Sequence, residues 1–163
     1  MSGRDVRIER LETLRVATTH VLSQRPEEDA WTKLESWAGP RGLLAREGAR
    51  VFGRNTFPTD APEPHGYEFS LTVDRDVESE GDVVIGEIPS GEYAVLRFTD
   101  LSRIRDAWQR LWGWIQASEH DHVGWMKGEH GWVNGFEERL DWRDPKPPNE
   151  WTFDLWVQLK ERG

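Results

Sequence analysis

The sequence predicts an α+β fold in which one strand–helix–strand–strand unit is used twice, giving an antiparallel sheet, two main helices and a central ligand groove. Three observations predict it. Asp29-Ala30-Trp31-Thr32-Lys33-Leu34-Glu35-Ser36-Trp37 returns 77 residues later as Asp106-Ala107-Trp108-Gln109-Arg110-Leu111-Trp112-Gly113-Trp114, with Asp, Ala, Trp, Leu and the second Trp unchanged. Tyr67-Glu68-Phe69-Ser70-Leu71-Thr72-Val73 returns 84 residues later as Trp151-Thr152-Phe153-Asp154-Leu155-Trp156-Val157. The two motifs follow each other in the same order in both halves, so the repeat spans a whole folding unit.

Taken in chain order, Ile8, Leu11, Val16 and Ala17 answer Ile85, Ile88, Tyr93 and Ala94. Each half therefore carries a strand-like run after a short break. In the second half the break is Pro89-Ser90-Gly91 and the strand covers residues 92–98. Trp31, Leu34 and Trp37, and then Trp108, Leu111 and Ile115, recur at spacings of three or four, which makes one apolar helix face. The Asp that opens each copy suits a helix N-terminus. In the next strand Phe52 answers Phe136. Alternation over residues 136–142 places Phe136, Leu140 and Trp142 on one face and Glu137, Arg139 and Asp141 on the other. Over residues 151–159 it places Trp151, Phe153, Leu155, Val157 and Leu159 on one face and Thr152, Asp154, Trp156 and Gln158 on the other. The apolar sets are expected under the helices and the second sets toward the groove or water. The change of offset puts seven extra residues in the second half, within the loop 120–134. Residues 58–64 and 144–148 read as Pro-rich hairpin connections. The pseudo-repeats are 6–75 and 83–160, within one domain, 1–163.

A chain of 163 residues buries enough surface to need no disulfide or metal staple. Having no cysteine, it has no thiol catalysis and no thiolate zinc site, and it fits a reducing cytoplasm. Its formal charge of −9 opposes binding to phosphate backbones and anionic membrane surfaces. No run approaches the ~20 apolar residues of a membrane helix. Ten tryptophans, against two tyrosines, point to an aromatic-lined pocket in addition to a core. A phosphate-cradling Gly-rich loop, a Gly-x-Ser-x-Gly elbow and a DNA-reading helix-turn-helix are all missing.

Several segments together resemble the GyrI-like family, whose fold also serves as the effector-binding domain of AraC-type and MerR-type multidrug regulators. Gly86-Glu87-Ile88-Pro89-Ser90-Gly91-Glu92-Tyr93-Ala94-Val95 is similar to the stretch entering that family's second half, and residues 108–114 to the helix after it. Gly135-Phe136-Glu137 resembles its Phe-Glu-x-Tyr strand, and Asp154-Leu155-Trp156-Val157-Gln158-Leu159-Lys160 its closing Asp-Ile-Tyr-Ile-Pro-Ile-Lys strand. The resemblance runs from Val6 to Lys160. It implies a duplicated SHS2-type fold with a groove into which Glu137 reaches, facing cationic or aromatic ligands. In family members that hydrolyse cyclopropane-bearing toxins, this position carries catalysis. The chain departs from the pattern at Arg139 and Trp156, both of which stand where the family usually has Tyr.

The candidate ligand-binding residues are Glu137, Arg139, Trp156, Glu68, Trp112 and Trp125. A partly desolvated Glu137 is expected to have a raised pKa and to act as counter-ion or general base. Arg139 is expected to oppose that rise, which favours binding over base catalysis. Trp156, a large ring among polar neighbours, is expected to stack on a ligand beside Glu137. Glu68 and Ser70 are expected to line the other wall. The insertion carrying Trp125, Met126 and Trp132 reads as an aromatic lid. The polar cluster of residues 119–122 with Glu129 and His130 is not assigned to a metal, and no cofactor is expected.

These residues lead to a stand-alone cytoplasmic protein that binds hydrophobic, aromatic, cationic small molecules, with no direct nucleic-acid or membrane partner. Two alternatives follow from the resemblance. One is hydrolysis of a strained electrophilic toxin by Glu137; the other is association with a protein such as DNA gyrase.

Overall fold

The computed structural model describes residues 5–56, 65–123, 126–128 and 131–161. Strands β1 (Val6–Leu11) and β2 (Leu14–Ser23) lead into helix α1 (Pro26–Ala38), then β3 (Val51–Thr56) and β4 (His65–Thr72). The second half repeats the order as β5 (Val84–Ile88), β6 (Gly91–Thr99), α2 (Ile104–Ala117), β9 (Phe136–Arg139) and β10 (Thr152–Gln158), with the short hairpin β7 (Met126–Gly128) and β8 (Gly131–Val133) inserted after α2. The eight main strands form one antiparallel curled sheet in the order β1-β6-β10-β9-β3-β4-β2-β5.

That order is symmetric about its middle. Each half builds three contiguous strands, and its leading strand crosses to the other half, β1 onto β6 and β5 onto β2. The halves meet where β3 pairs with β9, in the register Phe52↔Glu138 and Gly53↔Glu137. At the 84-residue offset Gly53 is the counterpart of Glu137, so the pseudo-two-fold axis passes between these two residues.

Both helices form where the sequence places them. Pro26 opens α1 with the φ a first turn requires and without an N–H to satisfy, and Glu27, Glu28 and Asp29 lie at the positive end of the helix dipole. Ala30, Leu34 and Ala38 are its buried stripe, answered in α2 by Ala107, Leu111 and Ile115. Helix α1 packs on β2 and β4, and α2 on β6 and β10. Each half thus has its own core, Leu34, Val51 and Leu71 in the first and Leu111, Leu155 and Val157 in the second. The central strands β3 and β9 carry no helix, which leaves a cleft above the axis. On the opposite face the curled sheet closes over a third cluster that includes Phe52, Tyr93, Val95 and Trp156.

One expected strand is shorter than its pattern. Residues 136–142 alternate throughout, but β9 ends at Arg139 and residues 140–143 form a turn. Leu140 and Trp142 therefore say nothing about which way Glu137 points. The expected hairpin connection at 58–64 lies outside the described residues, although β3 and β4 on either side of it are paired antiparallel. Among the described residues no helix is long and apolar enough to cross a membrane.

Candidate functional site

The cleft between the helices encloses about 1070 Å³. Its walls are repeat-related. Trp31 from α1 and its counterpart Trp108 from α2 both line it, and Tyr67 and Phe69 from β4 answer Trp151 and Phe153 at the end of the chain. Trp112 and Trp142 complete the aromatic lining, so five of the eight tryptophans whose side chains are described line this one cavity. Edge-on packing fixes the α1 wall: Trp31 meets Phe69 with 5.4 Å between ring centroids and Trp142 with 6.0 Å.

The charges break the symmetry. Glu137 lies on the cavity floor where its counterpart is Gly53, and Arg139 lines the cavity where its counterpart is Asn55. The missing side chain at Gly53 has a specific use, because a Cβ there would sit 2.2 Å from the Tyr67 hydroxyl oxygen. Tyr67 fills that space and donates to Glu137 Oε1 at 2.8 Å. Trp108 donates its indole N–H to Oε2 at 3.2 Å. Gly135, at φ 113°, lets the Trp108 ring reach this position, since a Cβ would lie 3.1 Å from the ring. Both carboxylate oxygens are thus held by aromatic donors, one from each half.

Burial, and to a lesser degree the charge of Glu27, raises the Glu137 carboxyl above the ordinary carboxylate value; the hydrogen bonds from Tyr67 and Trp108 oppose the rise. Burial, then the charge of Glu137, holds the Tyr67 hydroxyl well above its usual value, so it stays a donor. Arg139 does not play the opposing part expected of it. Its ion-pair contact is with Asp141, Nε to Oδ1 at 3.5 Å, and its guanidinium lies over the Trp151 ring, 3.7 Å from the centroid.

The sequence-predicted residues divide between the two faces of the sheet. Glu137, Arg139 and Trp112 line the cavity. Trp156 does not. It pairs in register with Phe136, and Leu155 pairs with Glu137, so Trp156 and Glu137 point to opposite faces. Trp156 is 2 % exposed and packs in the third cluster, parallel to Phe136 and edge-on to Tyr93. The expectation of a shared Glu137–Trp156 wall is corrected accordingly. It assigned β9 its inward face from Leu140 and Trp142, which lie past the strand's end. Glu68 is also on the far face, 4 % exposed and ion-paired with Arg54, beside a smaller pocket of about 170 Å³. Trp125 lies outside the described residues, as do the side chains of the rest of the expected lid. His120 stacks on Trp114 and His122 meets Trp112 edge-on, so both histidines of residues 119–122 have aromatic neighbours.

Tyr67, Trp108 and Trp31 are the site residues that sequence reasoning missed. The repeat itself was their signal, since positions related by 77 or 84 residues converge at the axis.

The sequence profile of the GyrI-like small molecule binding domain matches residues 4–160. No curated protein matches the sequence. Among solved structures, the C-terminal domain of EcmrR is similar with a TM-score of 0.65 at 16% identity, over 96% of this chain and 98% of that one. In the EcmrR–DNA complex the likeness has a TM-score of 0.67 at 15% identity, over 96% of this chain, which spans 57% of the length of that protein. A hydrolase encoded by lin2189 from Listeria innocua gives a TM-score of 0.68 at 7% identity, over 96% and 92% of the two chains. SAV2435, solved bound to tetraphenylphosphonium, gives 0.53 at 11% identity, over 95% and 93%. At these identities the structures share the fold, whereas the profile covers nearly the whole sequence: the chain belongs to the GyrI-like small-molecule-binding domain family.

Proposed function

We propose that the cavity binds apolar aromatic compounds carrying positive charge, with Glu137 as the buried counter-charge. The observation that carries this reading is a buried carboxylate set among the aromatic side chains of the cavity and held there by Tyr67 and Trp108. A cation entering this cavity meets the indole rings of Trp31 and Trp108 and a desolvated carboxylate. The binding of tetraphenylphosphonium by SAV2435, which has the same fold, supports this ligand class. Titration with a panel of planar cationic dyes, read by tryptophan fluorescence, tests it. Saturable quenching is expected, at least ten-fold weaker in Glu137→Gln, on the scale of a charge-assisted contact of roughly 1.5–3 kcal/mol. Absence of any change across the panel contradicts it.

A second reading is hydrolysis of a strained electrophile such as a cyclopropane-bearing toxin. It is favoured by the raised Glu137 carboxyl lying 2.8 Å from a protonated phenol. Glu137 would take a proton from water as the water oxygen bonds to a ring carbon. The strained C–C bond breaks, its electron pair passes into the toxin's own conjugated acceptor, and the proton returns through solvent to that acceptor. Tyr67 would hold the Glu137 carboxylate in place before attack. Turnover beyond one equivalent, lost in Glu137→Gln with binding retained in part, distinguishes it from binding alone. On either reading we place the protein in the cytoplasm, in keeping with a chain free of cysteine.

A further inference from the structure

Two cations line the cavity, Arg105 and Arg139, and a purely cationic ligand leaves both unused; Arg139 is the one that shares a strand with Glu137. It stands two residues after Glu137 on the same strand and both line the same cavity. Residues so spaced stand about 7 Å apart along one strand face. Yet the two opposite charges are not each other's partners. Glu137 is held by Tyr67 and Trp108, and Arg139 contacts Asp141.

The Arg139–Asp141 contact is itself incomplete. At 3.5 Å it is long, and the Arg139 Nε is buried without a hydrogen bond. The Asp141 carboxylate is already engaged by Lys146 at 2.9 Å and by the backbone N–H of Thr152 at 3.2 Å to each oxygen. The guanidinium is nevertheless held in place. Its central carbon lies over the Trp151 ring, 3.7 Å from the centroid, and the Trp151 indole N–H donates to the Lys146 carbonyl at 2.8 Å. A planar cation fixed on an indole platform, half-withdrawn from water and poorly neutralised by its neighbour, is an arrangement suited to accepting an anionic group of a ligand.

We infer that the preferred ligands are amphoteric: an aromatic body with a basic centre directed at Glu137 and a carboxylate, or a comparable anion, directed at Arg139. This rests on the proposed cavity and adds to it the half of the ligand that Glu137 cannot recognise. Arg139 is then the specificity-determining residue, and its side chain separates amphoteric from simply cationic compounds of the same shape.

Rhodamine 110, with a free carboxylate, and rhodamine 123, its methyl ester, share one cationic ring system and test the inference by fluorescence anisotropy. The wild-type protein is expected to bind the free acid roughly ten-fold more tightly than the ester, the scale of one charge-assisted contact. Arg139→Gln should abolish that preference by weakening the free acid about ten-fold more than the ester, and Arg139→Lys should restore part of it. Thermal unfolding of each variant separates these effects from loss of fold. Equal affinities in the wild type, or a preference that survives in Arg139→Gln, overturn the inference and leave the cationic cavity standing. Failure of both dyes to bind contradicts the cavity reading and the inference with it.

Discussion

Tyr67 and Glu137 come from different halves of the chain and meet at the pseudo-two-fold axis, hydroxyl to carboxylate at 2.8 Å, through a space that Gly53 leaves open. The repeat supplies symmetric aromatic walls, and this one contact gives the cavity its polar direction. An alanine at position 53 is expected to displace the Tyr67 ring, because the new Cβ would also lie 2.9 Å from two further ring carbons. Overpacking of this kind costs about 1–3 kcal/mol. Urea unfolding of Gly53→Ala should show that loss, and Tyr67→Phe, which keeps the ring but not the donor, should show less of it.

The Glu137 carboxyl fixes the sign of a pH effect. Its folded-state pKa is raised above the ordinary 4.5, so its protonated form favours folding and that contribution is lost as pH rises through the raised value. Stability of Glu137→Gln relative to wild type should therefore increase as pH climbs from 4.5 through the raised value. Affinity for a cationic dye should run the other way in the wild type, falling as the carboxylate protonates, and should depend less on pH in the variant, where Glu27 and Glu28 remain in the cavity lining. Parallel denaturation and dye titrations across that window check both signs.

Trp156 and Trp112 separate core from site. Trp156 fills the cluster on the far face, so Trp156→Ala should cost about 3–5 kcal/mol of folding stability and leave dye affinity per folded molecule unchanged. Trp112 is half-buried in the cavity wall, so Trp112→Ala should lower dye affinity by roughly ten-fold, as expected for a lost stacking or cation–π surface, with a smaller effect on stability. The same two measurements on both proteins decide the assignment.

The duplicated architecture was legible because helices and strands recur at fixed offsets, and each copy keeps the apolar spacing its element needs. The face of Glu137 was not. A four-residue strand carries too little alternation to fix its own direction, and the apolar Leu140 and Trp142 that follow belong to a turn. Trp156 misled for a different reason. The curled sheet buries both faces of β10, so a tryptophan between Leu155 and Val157 has a core on either side to enter. Tyr67 could not be paired with Glu137 from sequence, since the contact spans the two halves and depends on a side chain that position 53 lacks.

The far face has an ionic relay of its own. Asp154 accepts from Arg7 at 2.8 Å and from Arg97 at 2.9 and 3.1 Å. Burial pushes its carboxyl up, but the hydrogen bonds from Arg97 and Arg7 outweigh burial and hold it below the ordinary value. Its stabilisation is therefore present above the unfolded carboxylate pKa and lost as pH falls through the lower folded one. Asp154→Asn should cost about 2 kcal/mol at neutral pH, the partly exposed arginines limiting the effect, and should lose less stability than wild type on acidification. Denaturant midpoints at pH 7 and pH 3 would show it.

The most direct test of the central claim is a crystal structure of the protein with a planar cationic dye bound. The dye should lie in the cleft between α1 and α2, its ring system between Trp31 and Trp108 and its positive charge toward Glu137. A dye seated instead on the far face of the sheet, beside Glu68 and away from Glu137, would contradict the account.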